Sequence, residues 1–152
     1  MQNQLPLFSP VAEEDADALV ALRIEAMRES LECIGRFDPV RARERFLNGF
    51  EAAATRHIVL NDERVGFLAV KPRAEHLLLD HLYVLPAFQG RGIGCEVLRH
   101  VCAEALQARL PIRVGALRES ASNRFYLRHG FVKVAEEEFD IYYLRDWQLP
   151  FA

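Results

Sequence analysis

Cysteine is scarce in this chain, and what there is does not pair up. Cys33, Cys95 and Cys102 are odd in number and lack redox or metal-site spacing. That pattern predicts a reduced, cytoplasmic setting with neither a disulfide framework nor a bound metal. Long apolar runs are missing too; none approaches the roughly 20 residues of a membrane span. The opening Met-Gln-Asn-Gln-Leu-Pro has no basic stretch and no apolar core, so no secretion signal is expected. Nor is there a basic excess: the formal charge is −3, which argues against a general nucleic-acid binder. Repeats, low-complexity segments and an evident linker are all absent, which predicts one domain over residues 1–152. What remains is an ordinary soluble composition, 51% apolar and 27% charged, in a chain long enough to bury its own core.

Periodicity predicts the elements. Leu5 to Ser9 reads as a short strand, although Pro6 interrupts its hydrogen bonding. Leu19, Val20, Leu22, Ile24, Ala26 and Met27 recur at helical spacing after the acids Glu13, Glu14 and Asp15, predicting a helix from Glu13 to about Glu29. Asp38-Pro39 opens a second helix as N-cap and first residue, and Asn48-Gly49 closes it. Ile58 to Leu60 and Val65 to Val70 flank a polar turn and form an antiparallel hairpin. Leu77 to Val84 is the next strand, interrupted by Asp80 and His81. A helix then buries Val97, Leu98, Val101, Cys102, Ala105 and Leu106 and stops at Pro111. Ile112 to Ala116 is a strand, Ser120 to His129 a short helix ended by Gly130, and Phe131 to Val134 with Ile141 to Leu144 a closing strand pair. This order of elements is α/β of the α+β type, with a mixed sheet and no regular βαβ repeat.

The chemistry lies between the strand at Leu82 and the helix after it. Gly90, Gly92 and Gly94 strip side chains from the helix's first turn, where unpaired backbone N–H groups meet the positive end of the dipole. Such a turn cradles an anion, above all a diphosphate. It is not a P-loop, because Gly94-Cys95-Glu96 stands where Gly-Lys-Ser/Thr is needed. It is a poor dinucleotide fingerprint, since the glycines are spaced Gly-x-Gly-x-Gly and follow an antiparallel hairpin.

Gln89-Gly90-Arg91-Gly92-Ile93-Gly94 resembles the Gln/Arg-x-x-Gly-x-Gly/Ala signature of the GCN5-related N-acetyltransferases, the GNAT superfamily. The likeness runs back to Leu82-Tyr83-Val84-Leu85-Pro86. It runs forward to Phe125-Tyr126-Leu127-Arg128-His129-Gly130-Phe131, which is similar to the family's Phe/Leu-Tyr-x-x-x-Gly-Phe segment. The resemblance implies a single GNAT-like domain whose central sheet is mixed, mostly antiparallel and splayed, flanked by helices. It implies an acetyl-CoA-dependent acyltransferase that moves an acetyl group to a primary amine of a small molecule or peptide by direct attack in a ternary complex. Acetyl-CoA is then a co-substrate, no metal takes part, and a homodimer is left open.

The resemblance also distributes roles. The loop amides from Gln89 through Gly90, Arg91, Gly92 and Ile93 to Gly94 bind the pyrophosphate, with Arg91 adding charge. The backbone of Leu82, Tyr83 and Val84 pairs with the pantetheine arm like an added strand. Tyr126 donates a proton or hydrogen bond to the departing thiolate, whose parent thiol has a pKa of about 8.5; its alternative is core packing beside Phe125 and Phe131. Asn123, three residues earlier on the same helix face, offers an amide to a pantetheine carbonyl. Relatives often carry Asn at the position of Ser120, which here also suits a helix N-cap. An alkyl ammonium, with a pKa of about 10, needs a base. Asp80 can act directly or through water from the strand face of Leu82 and Val84, with His81 on the other face as the fallback.

Glu32, Asp38, Glu136, Glu137, Glu138 and Asp140 favour a cationic acceptor, with Phe37, Tyr142 and Tyr143 for its apolar part. Glu136 to Glu138 reads equally as a solvated hairpin edge. Leu78 stands where several relatives place a base, so a non-catalytic acyl-CoA sensor is the alternative.

Overall fold

Asn61 and Asp62 both take left-handed backbone, with φ of +54° and +62°. Two such residues in succession make the tight hairpin turn whose twist matches its strands. β1 (Leu7–Pro10), β2 (Thr55–Leu60) and β3 (Glu63–Pro72) form an antiparallel run around that turn, with Leu60 opposite Glu63 and Ser9 opposite His57. The computed structural model describes residues 5–33, 35 and 38–151. β2 starts three residues before the expected Ile58, because its early polar residues are buried and satisfied. Thr55 Oγ1 donates to the Glu51 carbonyl at 2.7 Å, and His57 Nε2 lies 3.1 Å from Asp15 Oδ2. Alternation of apolar residues does not reveal such a strand.

Asp15 ends a one-turn 3-10 helix, Glu13–Asp15, that leads into α1 (Ala16–Cys33). The Ala12 N–H first, then His57 and the Arg64 guanidinium, hold the Asp15 carboxyl below its ordinary value. α2 (Pro39–Gly49) opens as expected, the Asp38 carboxylate accepting from Arg41 N at 3.2 Å. α1 contributes Leu19 and Val20 to a core with Val11, Phe46 of α2 and Phe67 of β3, and Tyr83 packs on its margin.

β4 (Leu77–Val84) matches its expected bounds. α3 (Ile93–Ala108) follows, then β5 (Ile112–Leu117), α4 (Ser122–Arg128), β6 (Val132–Glu136) and β7 (Asp140–Arg145). The strands form one seven-stranded mixed sheet in the order β1-β2-β3-β4-β5-β7-β6. The β4–β5 ladder is parallel and consists of three pairs, Leu77↔Ile112 to Leu79↔Val114. The β1–β2, β2–β3, β5–β7 and β6–β7 ladders are all antiparallel. Leu106 of α3 is 57% exposed, contrary to expectation. At 100° per residue it falls roughly 110° from the centre of the Val97, Leu98, Val101, Cys102 and Ala105 stripe. No described helix is long and apolar enough to cross a membrane.

Packing divides the chain into two compact units, Met1–Ala69 with His81–Glu96, and Val70–Asp80 with Val97–Ala152. The division falls inside β3, β4 and α3. In the second unit a buried arginine replaces apolar packing at one corner. Arg145 Nε donates to the His129 carbonyl at 2.7 Å, while Nη1 and Nη2 reach the carbonyls of Leu149 and Pro150 at 3.1 and 3.0 Å. Gly130 beside it has φ +90°, and a Cβ there would collide with Leu149.

In the first unit, Gly66 of β3 sits against the Tyr83 carbonyl of β4. A Cβ at Gly66 would collide with that oxygen and lie 3.2 Å from Ile58 Cδ1. Backbone cannot yield as a flexible side chain can, so Gly66→Ala is expected to lower the unfolding free energy by about 2 kcal/mol. Urea unfolding checks this; an unchanged midpoint would show that β3 and β4 do not need this close approach.

Candidate functional site

The segment after β4 turns without help from bulky side chains. Leu85 N donates to Val65 O at 2.8 Å, tying the end of β4 to β3. A single 3-10 turn, Pro86–Phe88, then leads to Gln89. Gly90 and Gly92 take φ of +77° and +81°, a left-handed backbone that penalises any Cβ. The space around both is open, since a Cβ built on either meets no atom within 4 Å. α3 begins one residue later, and the Glu96 N–H closes onto the Gly92 carbonyl at 3.1 Å. The amides ahead of Glu96 are the first-turn donors that a helix cannot satisfy internally. Sixteen residues of helix lie behind them, so the dipole's positive end coincides with those donors. This turn has the room, the donors and the field that a diphosphate requires.

Two side chains of the turn are already engaged. Gln89 Nε2 folds back to donate to the Val84 carbonyl at 2.9 Å, tying the turn to the end of β4. Arg91 lies with its guanidinium 5.2 Å from the centre of the Phe88 ring, an exposed cation leaning on an aromatic face. Leu82, Tyr83 and Val84 are all half-buried on β4, and with Gln89 to Gly94 they belong to the first unit.

β4 sends its two proton-acceptor candidates into different surroundings. Asp80 Oδ2 lies 2.9 Å from Lys71 Nζ, and that lysine side chain is only 7% exposed while Asp80 keeps 32%. A buried ammonium needs such a partner, so the pair is also a structural requirement of the hairpin. The His81 ring lies in an aromatic group, 5.1 Å from Phe46, 5.9 Å from Phe67 and 5.7 Å from Tyr83 between centroids. Lys71 was not singled out from the sequence. An isolated lysine in an apolar strand at alternating spacing was the available signal.

Asn123 and Tyr126 come together in the second unit, with Tyr143 of β7 between them in contact. Tyr126 is 5% exposed and packs edge-on against Phe125 and Phe131, with ring centroids 5.3 and 5.1 Å away. The Tyr143 ring is 6.3 Å distant, and its hydroxyl donates to Asn123 Oδ1 at 2.8 Å. Asn123 Nδ2 donates to the carbonyls of Leu117 and Ser120 at 2.9 and 3.0 Å and approaches Ser120 Oγ at 3.4 Å. Both amide hydrogens are therefore committed to protein oxygens. α4 begins at Ser122 with Ala121 as its cap residue, so Ser120 is not the N-cap. The turn before α4 is instead closed by Ser120 N donating to Leu117 O and by the Asn123 side chain.

Of the acids expected to attract a cationic acceptor, Glu136 is ion-paired. Glu136 Oε2 lies 2.6 Å from Lys133 Nζ and 3.4 Å from Arg118 Nη2, and the lysine first holds its carboxyl below the ordinary value. Arg118 also donates to the carbonyls of Glu137 and Glu138. Asp38 caps α2. β6 is exposed along its whole length. Tyr142 covers Gly115, its ring carbons 3.1 and 3.2 Å from where a Cβ would lie; burial first, then Asp140 and Glu137, push its phenol up. Phe37 lies outside the described residues. Cys102 is buried, and burial raises its thiol against the pull of Arg145 and Arg99, which suits packing. Among the described residues no group of three or more His, Cys, Asp or Glu could hold a metal ion.

Comparison with known proteins follows the same segments. A family model described as an acetyltransferase (GNAT) domain matches residues 53–133, more than half of the 152. A GCN5-related N-acetyltransferase from Rhodopseudomonas palustris superposes with a TM-score of 0.76 at 19% identity, covering 96% of this chain and 98% of that one. The PaiA N-acetyltransferase from Thermoplasma acidophilum, solved in complex with coenzyme A, gives 0.74 at 17% identity over 94% and 99%. The ribosomal-protein-S18-alanine N-acetyltransferase from Escherichia coli gives 0.73 at 14% identity over 96% of each chain. At these identities the structures speak for the fold alone. No curated protein matches the sequence.

Removing the Asn123 amide leaves two turn carbonyls and the Tyr143 hydroxyl without this partner. Asn123→Ala should therefore cost about 1–3 kcal/mol in chemical unfolding, and Tyr143→Phe less. Equal, negligible losses for both would show that the side chain does not clamp the start of α4.

Proposed function

This chain belongs to the GNAT acetyltransferase family, and from that membership we propose that it transfers the acetyl group of acetyl-CoA to a primary amine of a small molecule or peptide. The observation that carries the reading is the turn from Gln89 to Gly94, where left-handed glycines open a 16-residue helix onto unobstructed space. The amides of Gly90, Arg91, Gly92, Ile93 and Gly94 would hold the coenzyme's diphosphate, with Arg91 adding charge. Gln89 serves by fixing the turn through the Val84 carbonyl. The Leu82, Tyr83 and Val84 backbone offers main-chain groups to the pantetheine arm. The PaiA relative was solved with coenzyme A, which supports the same ligand class here.

Bound acetyl-CoA supplies an activated acyl thioester. The chain's own tasks are to deliver a deprotonated amine and to receive a thiolate. Asp80 takes the ammonium proton, directly or through a water, with His81 as the alternative acceptor on the opposite strand face. As the C–N bond forms and the C–S bond breaks, the Tyr126 phenol supplies a proton or hydrogen bond to the leaving sulfur. Its nearly complete burial suits that role, since a shielded donor keeps its strength. Asn123 acts through position, by holding α4 and hence Tyr126. The Lys71–Asp80 ion pair favours one competing reading, a module that binds acyl-CoA without transferring it, because it engages the foremost base.

Coenzyme A release measured over a panel of amines decides between the two; binding without turnover on any amine supports the sensor. Gly92→Glu is expected to abolish acetyl-CoA binding in calorimetry, by bringing a carboxylate to the anion's place. Retained affinity would remove the turn from the site. Tyr126→Phe should lower kcat by about 10²-fold or more with little change in acetyl-CoA affinity. An unchanged kcat would remove its catalytic assignment.

A further inference from the structure

Arg23 occupies a position on α1 where a cation has no local partner. Its neighbours one helical turn away, Leu19, Val20, Ala26 and Met27, are all apolar, so the usual i±3 and i±4 ion pairs cannot form. Leu19 and Val20 belong to the core, which places Arg23 at that core's edge. Its guanidinium lies 5.7 Å from the centre of the Tyr83 ring, and Nη1 makes a long 3.3 Å hydrogen bond to the Ala42 carbonyl of α2. Nε is buried and has no hydrogen-bond partner. Among the described residues no carboxylate reaches this arginine. A guanidinium has five N–H donors, and a half-buried one without a counter-charge is costly to keep.

We propose that Arg23 binds an anionic oxygen group, a carboxylate or a phosphate, carried by the acceptor amine. The inference rests on the acetyltransferase reading and narrows its acceptor. Arg23 lies over the face of Tyr83, which shares a β4 face with His81 and packs 5.7 Å from that ring. It therefore marks the strand that supplies the proton acceptors, whereas the coenzyme's diphosphate is assigned to the turn after Gln89. Planar guanidinium forks match carboxylate and phosphate oxygens.

The test is calorimetry on the full chain with coenzyme A present. The probes are free L-amino acids, each beside its carboxamide, and phosphoethanolamine beside ethanolamine. The wild type is expected to bind at least one anionic member about tenfold or more tighter than its neutral partner. Arg23→Gln should erase that preference and leave the neutral partner's affinity unchanged, and Arg23→Lys should restore part of it. Preference confined to the amino acids identifies a carboxylate; preference confined to phosphoethanolamine identifies a phosphate. No preference in the wild type would overturn the proposal. So would an Arg23→Gln loss shared equally by both partners, or a loss of coenzyme A affinity at unchanged thermal stability. Coenzyme A release with the same pairs separates the two readings. Discrimination without acetyl transfer contradicts the enzyme and keeps the anion site, whereas transfer without discrimination does the reverse.

Discussion

A helix cannot satisfy its own first-turn N–H groups, and the functional account of this chain depends on where α3 leaves them. Most proteins hide that deficit under a side-chain cap. Here Gly90 and Gly92 take the backbone through left-handed conformations, and nothing lies within 4 Å of where their side chains would project. Both glycines are exposed and lead directly into the positive end of a 16-residue helix. The flanking contacts hold that geometry: Leu85 is tied to β3, and Gln89 is tied to the last carbonyl of β4. The turn is tied down where it leaves the sheet and exposed from Gly90 to Gly92.

β4 is the second constraint. Gly66 lets β3 approach the Tyr83 carbonyl more closely than any side-chain-bearing residue would allow. Along the same strand, alternation sends Asp80 to the buried ammonium of Lys71 and His81 into a group of aromatic rings. One strand thus turns a carboxylate and an imidazole to opposite faces. A buried ammonium persists only with a counter-charge, so the Lys71–Asp80 pair is part of how β3 and β4 are built.

The elements that could be read directly were those carried by punctuation. Asp38-Pro39, Asn61-Asp62, the glycine turn and Gly130 each impose a backbone geometry, and α2, the first hairpin, α3 and the end of α4 followed closely. Elements carried by buried polar residues were misjudged at their edges, as with Thr55 and His57 in β2. Ser120 looked like a cap, but Asn123 closes that turn through tertiary hydrogen bonds to Leu117 and from Tyr143, which spacing cannot reveal. Leu106 was lost to a helix phase error. At the candidate site, the left-handed turn at Gly90 and Gly92 was readable because glycines act locally. Lys71 and Arg23 were not, because their significance comes from partners distant in the chain or missing from it.

Amide resonances report the central claim most directly. Titrating isotopically labelled protein with coenzyme A should shift the N–H signals of Gly90 through Gly94 markedly downfield, as charge-assisted hydrogen bonds to phosphate oxygens form. Saturable coenzyme binding that leaves those resonances in place while moving others would contradict the account.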